Sequence, residues 1–251
     1  MRGDSKDKDG VLVTEVEALD GRRAPVRLTV NPRARNISVR IDPTRRIAIA
    51  TAPSSRHLKR AAQFAADRAT WIVGELARLP HSAPLLPGVR APLRGVTHDL
   101  AYEPGRGAPR IEAGAEDGAP PRLIVPAPDA DLFESRLLRF LKAEARIDLG
   151  LRVGEYAQTL GVKPTRLTIK ETRSRWGSCT TEGALAFSWR VILAPPFVLD
   201  YLAAHETAHL VEMNHSRRFW AQVKKALPSF ERGRDWLHAH GAALHAIGAA
   251  T

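Results

Sequence analysis

The sequence predicts a mixed α+β protein. Three observations carry that expectation: short runs of alternating apolar residues near the N-terminus, long stretches of helical periodicity in the second half, and no apolar run near the ~20 residues that a bilayer span needs. The longest candidate span, Val191 to Ala204, is interrupted by Pro195, Pro196 and Asp200. No membrane association is expected. In order along the chain, residues 1–10 (MRGDSKDKDG) are charged throughout and read as a disordered tail. Val26, Leu28 and Val30, then Ile37, Val39 and Ile41, then Ile47 and Ile49 alternate between the turn signals Asn31-Pro32 and Asp42-Pro43, which predicts a three-stranded β-meander. Ser54 or Ser55 then caps one helix, reaching Pro80, whose apolar positions run from Leu58 to Leu76 and whose Trp71 is expected in the core.

Residues 80–128 lack clear periodicity. Short strands fit 95–102 and 122–125, with 103–121 as a flexible insertion. A long helix follows from about Asp131 to Leu160 and stops at Gly161. Arg166–Lys170 and Ala184–Val191 alternate as strands around a polar loop, 171–183; Pro195-Pro196 opens a helix from Phe197 to about Met213, and Ser216 caps another from Arg217 to Leu227. The organisation expected is a tail (1–10), a β-rich N-terminal region with one helix (11–130) and a second domain (131–251) that holds the chemistry.

Lys and Arg number 38 against 27 Asp and Glu, a net charge of +11. Such a surface attracts nucleotides, nucleic acids and acidic proteins. Arginine supplies most of the charge in an Ala-rich chain, which coding bias alone would produce, so the charge by itself does not assign a ligand. A single cysteine, Cys179, permits no internal disulfide and, with the absence of an apolar leader after Met1, points to the cytoplasm.

The chemistry concentrates at His205-Glu206-Thr207-Ala208-His209. On a helix, residues i and i+4 stand about 6 Å apart along the axis and about 40° apart around it, so two imidazoles can converge on one ion. Glu206 is turned about 100° from His205; it suits the role of general base towards a water more than that of a ligand. For a third ligand, Glu212 lies too far along a continuous helix to reach the ion together with both histidines. His215 reaches it if the chain turns back first, with Asn214 taking the left-handed conformation that ends a helix. His205, His209 and His215 are therefore the expected ligands, and zinc the expected ion.

The stretches Arg175-Trp176-Gly177-Ser178-Cys179, Phe187-Ser188-Trp189-Arg190, Leu193-Ala194-Pro195-Pro196, the histidine motif, and Met213-Asn214-His215-Ser216 with Phe219-Trp220 resemble the YgjP-like metallopeptidase family, relatives of the SprT-like and WLM zinc proteases. The resemblance extends to the basic N-terminal strands and the Trp71 helix. It implies a zincin-like catalytic domain at 131–251 with the metal helix and a small antiparallel sheet, three histidine ligands to Zn2+, Glu206 activating water, and a protein or peptide substrate. By likeness to zincins, the exposed edge of the strand at Ala184–Trp189 could pair with an extended peptide. Metzincins are excluded, because no methionine follows His215 to form their Met-turn. Other reactions share the same activated water: hydrolysis of a nucleotide phosphoanhydride gripped by Arg173, Arg175 or the N-terminal arginines, or proteolysis restricted to nucleic acid, as SprT-like relatives suggest. Cys179 is expected to be a small buried residue, Trp176, Trp189, Trp220 and Trp236 to be core, and His238, His240 and His245 to lie at the surface.

Overall fold

The structure, a computed structural model, describes residues 5–6, 12–42, 45–79, 83–114, 116–172 and 175–248. It divides into two compact units, 1–81 and 82–251. Most of the expected tail lies outside the described residues, although Ser5–Lys6 (β1) pairs antiparallel with Leu12 and Val13. Among the described residues no helix is long and apolar enough to cross a membrane.

The first unit holds a five-stranded sheet built from β1, β2 (Leu12–Glu17), β3 (Arg23–Val30), β4 (Ser38–Asp42) and β5 (Ile47–Ala52), in the order β1-β2-β3-β5-β4. This is not the expected meander. β5 inserts between β3 and β4 and runs parallel to β3, because the segment after β3 carries the chain past that position and leaves β4 at the edge. Helices α1 (Leu58–Ala66) and α2 (Ala69–Arg78) cover one sheet face. That face of β5 is all alanine (Ala48, Ala50, Ala52), small enough for Ala61 and Ala65 of α1 to close on it. The single helix expected here is broken at Asp67 and Arg68. Ile72, Val73 and Leu76 take the buried side of α2, and Trp71 is left 46% exposed instead of in the core.

In the second unit, β6 (Arg90–Leu93), β7 (Val96–Pro104), β8 (Arg110–Glu112) and β9 (Arg122–Ala127) form a mixed sheet ordered β6-β7-β9-β8. The segment expected as a flexible insertion contains β8, tied to β7 by ion pairs from Arg110 to Glu103. This sheet shares one core with α3 (Phe133–Leu160), through Leu100, Leu123, Val125 and Leu137. The boundary therefore falls near residue 81 and not at 130.

α3 buries Phe133, Leu137, Leu141, Ala145, Leu149 and Val153. A spacing of four on a helix of 3.6 residues per turn advances about 40° per step, so this stripe winds about 200° around the axis. One helix thereby meets β9 near its start and the later helices further on. After Gly161 the chain forms β10 (Arg166–Lys170), β11 (Gly177–Cys179) and β12 (Ala184–Ser188). Their order is β10-β12-β11 with β10 parallel to β12, so the expected antiparallel sheet is in fact mixed. β12 is central, flanked on both sides, and offers no open edge.

A 3-10 turn (Trp189–Leu193) then leads into α4 (Pro196–Ala208), α5 (Arg217–Ala226) and α6 (Phe230–Ala246). Trp189 is fully buried and its indole donates to Glu171 at 2.5 Å. Arg190 is buried beside it, ion-paired to Glu171 and donating to the carbonyls of Ile247 at 2.8 Å and Gly248 at 3.2 Å. α6 crosses α4 at Gly233, where a Cβ would stand 2.4 Å from the Tyr201 Cβ and 2.7 Å from the Phe197 carbonyl oxygen.

Leu149→Ala should lower the unfolding free energy by about 2–5 kcal/mol, whereas Leu151→Ala on the exposed side of the same helix should stay within about 0.5 kcal/mol; denaturant titration of both variants checks the pair.

Candidate metal centre

α4 is apolar on nearly every side: Val198, Leu199, Leu202, Ala203, Ala204 and Ala208 are buried, with Pro196 at its first turn. Its last turn carries His205 and Glu206, and His209 is the residue on which the helix ends. The helix stops at Ala208, five residues short of the expected end. The N–H groups of Val211 and Glu212 both donate to the Ala208 carbonyl at 3.0 Å, and the chain turns there. Asn214 does not supply a left-handed turn; Arg46 and Arg94 are the non-glycine residues with positive φ among those described. The early stop is what returns His215 to the helix. Ser216 then accepts from the Phe219 N–H at 3.3 Å and starts α5.

The three imidazoles converge, with one ligand nitrogen from each lying within 4.8 Å of the others. The Nε2 atoms of His205 and His215 are 3.1 Å apart. Phe219, fully buried, forms the floor: it stacks on His209 at 4.4 Å and meets His205 and His215 edge-on at 4.9 and 4.8 Å. Two of the three far nitrogens are occupied. Nδ1 of His209 donates to the Glu212 carbonyl at 3.1 Å, and Nδ1 of His205 lies 3.3 Å from the Tyr201 hydroxyl. The carbonyl acceptor fixes a proton on Nδ1 of His209 and leaves its Nε2 lone pair to face the cluster, and the Tyr201 hydroxyl engages Nδ1 of His205, whose Nε2 faces His215. Burial pushes His205 down to about 3, helped by His209 and His215, and burial also lowers His209. At neutral pH these rings are therefore uncharged ligands. Glu212 contributes its carbonyl rather than its carboxylate. The donor set, with His205 and His209 held neutral, fits a metal ion.

Glu206 is 5% exposed, and loss of water pushes its carboxyl up to about 8 against the opposing pull of Arg175. Its position is set by β11. A Cβ on Gly177 would lie 2.3 Å from Glu206 Oε1 and 2.6 Å from its Cδ, so only glycine lets the strand pass so close. The neighbouring Trp176 stacks on His245 at 4.0 Å. His245 is buried, contrary to the expectation of a surface histidine, because α6 runs to Ala246 and turns this residue towards Trp176. Cys179 is half-buried, and its thiol is pushed up by burial and by Glu206. Trp176, Trp220 and Trp236 are half-buried at the edges of the core, and Arg173 lies outside the described residues. Reasoning from sequence missed Gly177, Tyr201 and the Glu212 carbonyl. Tyr201 had a readable signal, since it stands four residues before His205 on the same helical stripe.

These features define a metal-dependent hydrolase class: three histidines gathered around one point, with a buried carboxyl beside them. The model of the YgjP-like metallopeptidase domain matches residues 35–240, and the chain belongs to that family. No curated protein matches it. Among solved structures, it is similar to the metallopeptidase zymogen of Pyrococcus abyssi abylysin, with 20% identity, 36% of this chain and 92% of that chain covered, and a TM-score of 0.34.

Tyr201→Phe should weaken metal affinity by about 10–100-fold while leaving the fold intact, read by competition with a chromogenic chelator. His245 yields a pH dependence. Burial, then Arg190, lowers it to about 4 in the folded chain against 6.5 unfolded, so its contribution to stability is present above pH 6.5 and is lost as the pH falls through about 4. His245→Phe should make that acid loss shallower in denaturant titrations across pH 4 to 6.5; an unchanged slope would contradict the assignment.

Proposed function

We propose that this chain is a zinc metallopeptidase with a zincin-like active centre, in which His205, His209 and His215 hold the ion and Glu206 is the general base. The observation that carries the reading is the convergence of three histidines, two of them buried enough to be held neutral, beside a carboxyl that a strand holds in place through Gly177. Bound there, zinc would supply Lewis acidity, lowering the pKa of a water and polarising a carbonyl. Glu206 accepts the proton of the attacking water on a carboxylate oxygen and later delivers it to the leaving amine. Burial raises the proton affinity of this carboxyl, and a cation held by the three histidines would draw it back towards the ionised form that a base needs. β11, at the sheet edge and over Glu206, is the strand positioned to align an extended substrate, in place of the central β12. The lone cysteine supports a reducing, cytoplasmic setting.

A second reading keeps the centre and changes the bond attacked. Arg175 is exposed and close enough to favour the Glu206 carboxylate, and such a guanidinium could grip the phosphates of a nucleotide whose phosphoanhydride is hydrolysed.

Glu206→Gln should retain zinc and lose about 10²–10⁴-fold in turnover. The experiment pairs metal analysis with incubation of both proteins against peptide and nucleotide libraries. Glu206-dependent cleavage of peptides supports the first reading, Glu206-dependent release of phosphate or pyrophosphate the second, and turnover that survives the substitution removes Glu206 as the base.

A further inference from the structure

In the first unit a groove of about 520 Å³ runs between the sheet edge and the helices, lined by Ile37, Ser38, Val39, Phe64, Arg68 and Trp71. β4 ends the sheet order, and among the described residues no strand pairs with its outer side. Alternate N–H and C=O groups of that edge are therefore open to a partner. The groove beside it is aromatic where a monomer gains nothing from it. Trp71 is nearly half exposed, although the same helix buries Ile72 and Val73. The Arg68 guanidinium lies over the Phe64 ring, 3.6 Å from its centroid.

The charge around the groove is one-sided. Between Leu12 and Leu79 the chain has 13 Arg and Lys against 6 Asp and Glu, so this short unit holds most of the net charge. Arg33 and Arg35 lead into β4, Arg40 lies on it, and Arg60 is one helical turn before Phe64. None of these four, nor Arg68, forms an ion pair among the described residues.

We propose that this groove docks an extended, acidic peptide segment, which adds as a strand to the free edge of β4. Its apolar side chain seats between Trp71 and Phe64, and its carboxylates face Arg68 and the arginines of the edge. A peptide is favoured over a single-stranded nucleic acid because a strand edge presents donors and acceptors at the backbone spacing of another strand. Ile37 and Val39 also give the groove an aliphatic wall, which suits a side chain more than a stacked base. The site is separate from the metal chemistry proposed above and does not depend on it.

The test uses the full chain and fluorescence anisotropy with a fluorescein-labelled ten-residue peptide of Asp and Glu around two central leucines. Companion probes are the same peptide with lysines for the acids, the same peptide N-methylated at alternate backbone nitrogens, and a ten-nucleotide oligothymidylate. The acidic peptide should bind, and Trp71→Ala and Arg68→Glu should each weaken it at least tenfold with metal content and thermal midpoint unchanged. The lysine and N-methylated peptides should bind at least tenfold more weakly, and removing metal with a chelator should change nothing. Absence of binding, equal binding of the N-methylated peptide, or loss of binding on chelation overturns the proposal. Tighter binding of the oligothymidylate, weakened by the same two substitutions, also overturns it and makes the groove a nucleic-acid site.

Discussion

Helix α4 is enclosed by α3, α6, the 3-10 turn before it and β11, and that enclosure extends to its polar last turn. Glu206 loses water along with Leu202 and Ala203. Burying an ionised carboxyl without compensation costs far more than a surface residue would tolerate, and the group responds by holding its proton more tightly. The same desolvation acts in the opposite direction on His205 and His209, keeping them neutral. One packing constraint therefore produces two protonation tendencies: bases that have given up their protons, and an acid slow to release its own. A more exposed helix with the same five residues would have neither.

The second constraint is where the helix ends. His215 approaches His205 only because the turn begins at Ala208, and Phe219 then fills the space under all three rings. Phe219 comes from the first turn of α5, whose start is fixed by the Ser216 cap, so a local hydrogen bond determines where the floor of the cluster stands. The floor is apolar, and two of the three walls, His205 and His209, are satisfied at Nδ1. What remains directed inward is a set of Nε2 atoms. Two of the rings, His205 and His209, are held both by contact with Phe219 and by a hydrogen bond at Nδ1, and His215 is held by its ring contacts with Phe219 and Trp220.

The histidine spacing and the helix that carries it were legible because 3.6 residues per turn is a local rule. Gly161 and Ser216 were legible for the same reason, as chemical punctuation acting within one turn. The sheets were not. β5 passes between β3 and β4, and β10 runs parallel to β12, because strand order is decided by which faces can be buried together, and alternation reveals a strand without revealing its neighbour. Turn signals such as Asn31-Pro32 show that the chain bends and leave open where it goes next. The burial of His245 and the exposure of Trp71 escaped for a related reason: which side of a helix faces inward depends on what packs against it, and the C-terminal residues carried too weak a period to show α6 at all. Gly177 was visible within a motif, but its role depends on a carboxyl 29 positions later in the chain.

Gly233 shows how far the reach of the metal centre extends. It lies in α6, in no part of the histidine cluster, at the place where two helices cross. The residue it lets approach is Tyr201, whose hydroxyl holds the outer nitrogen of His205. The separation of α4 and α6 is thus also an adjustment on the direction of one candidate metal ligand. Any side chain at 233 would act like a shim, pushing Tyr201 outward and swinging the imidazole it steadies. A position chosen for helix packing would then be felt as a change in metal selectivity or affinity, with no direct contact to the ion to betray the cause.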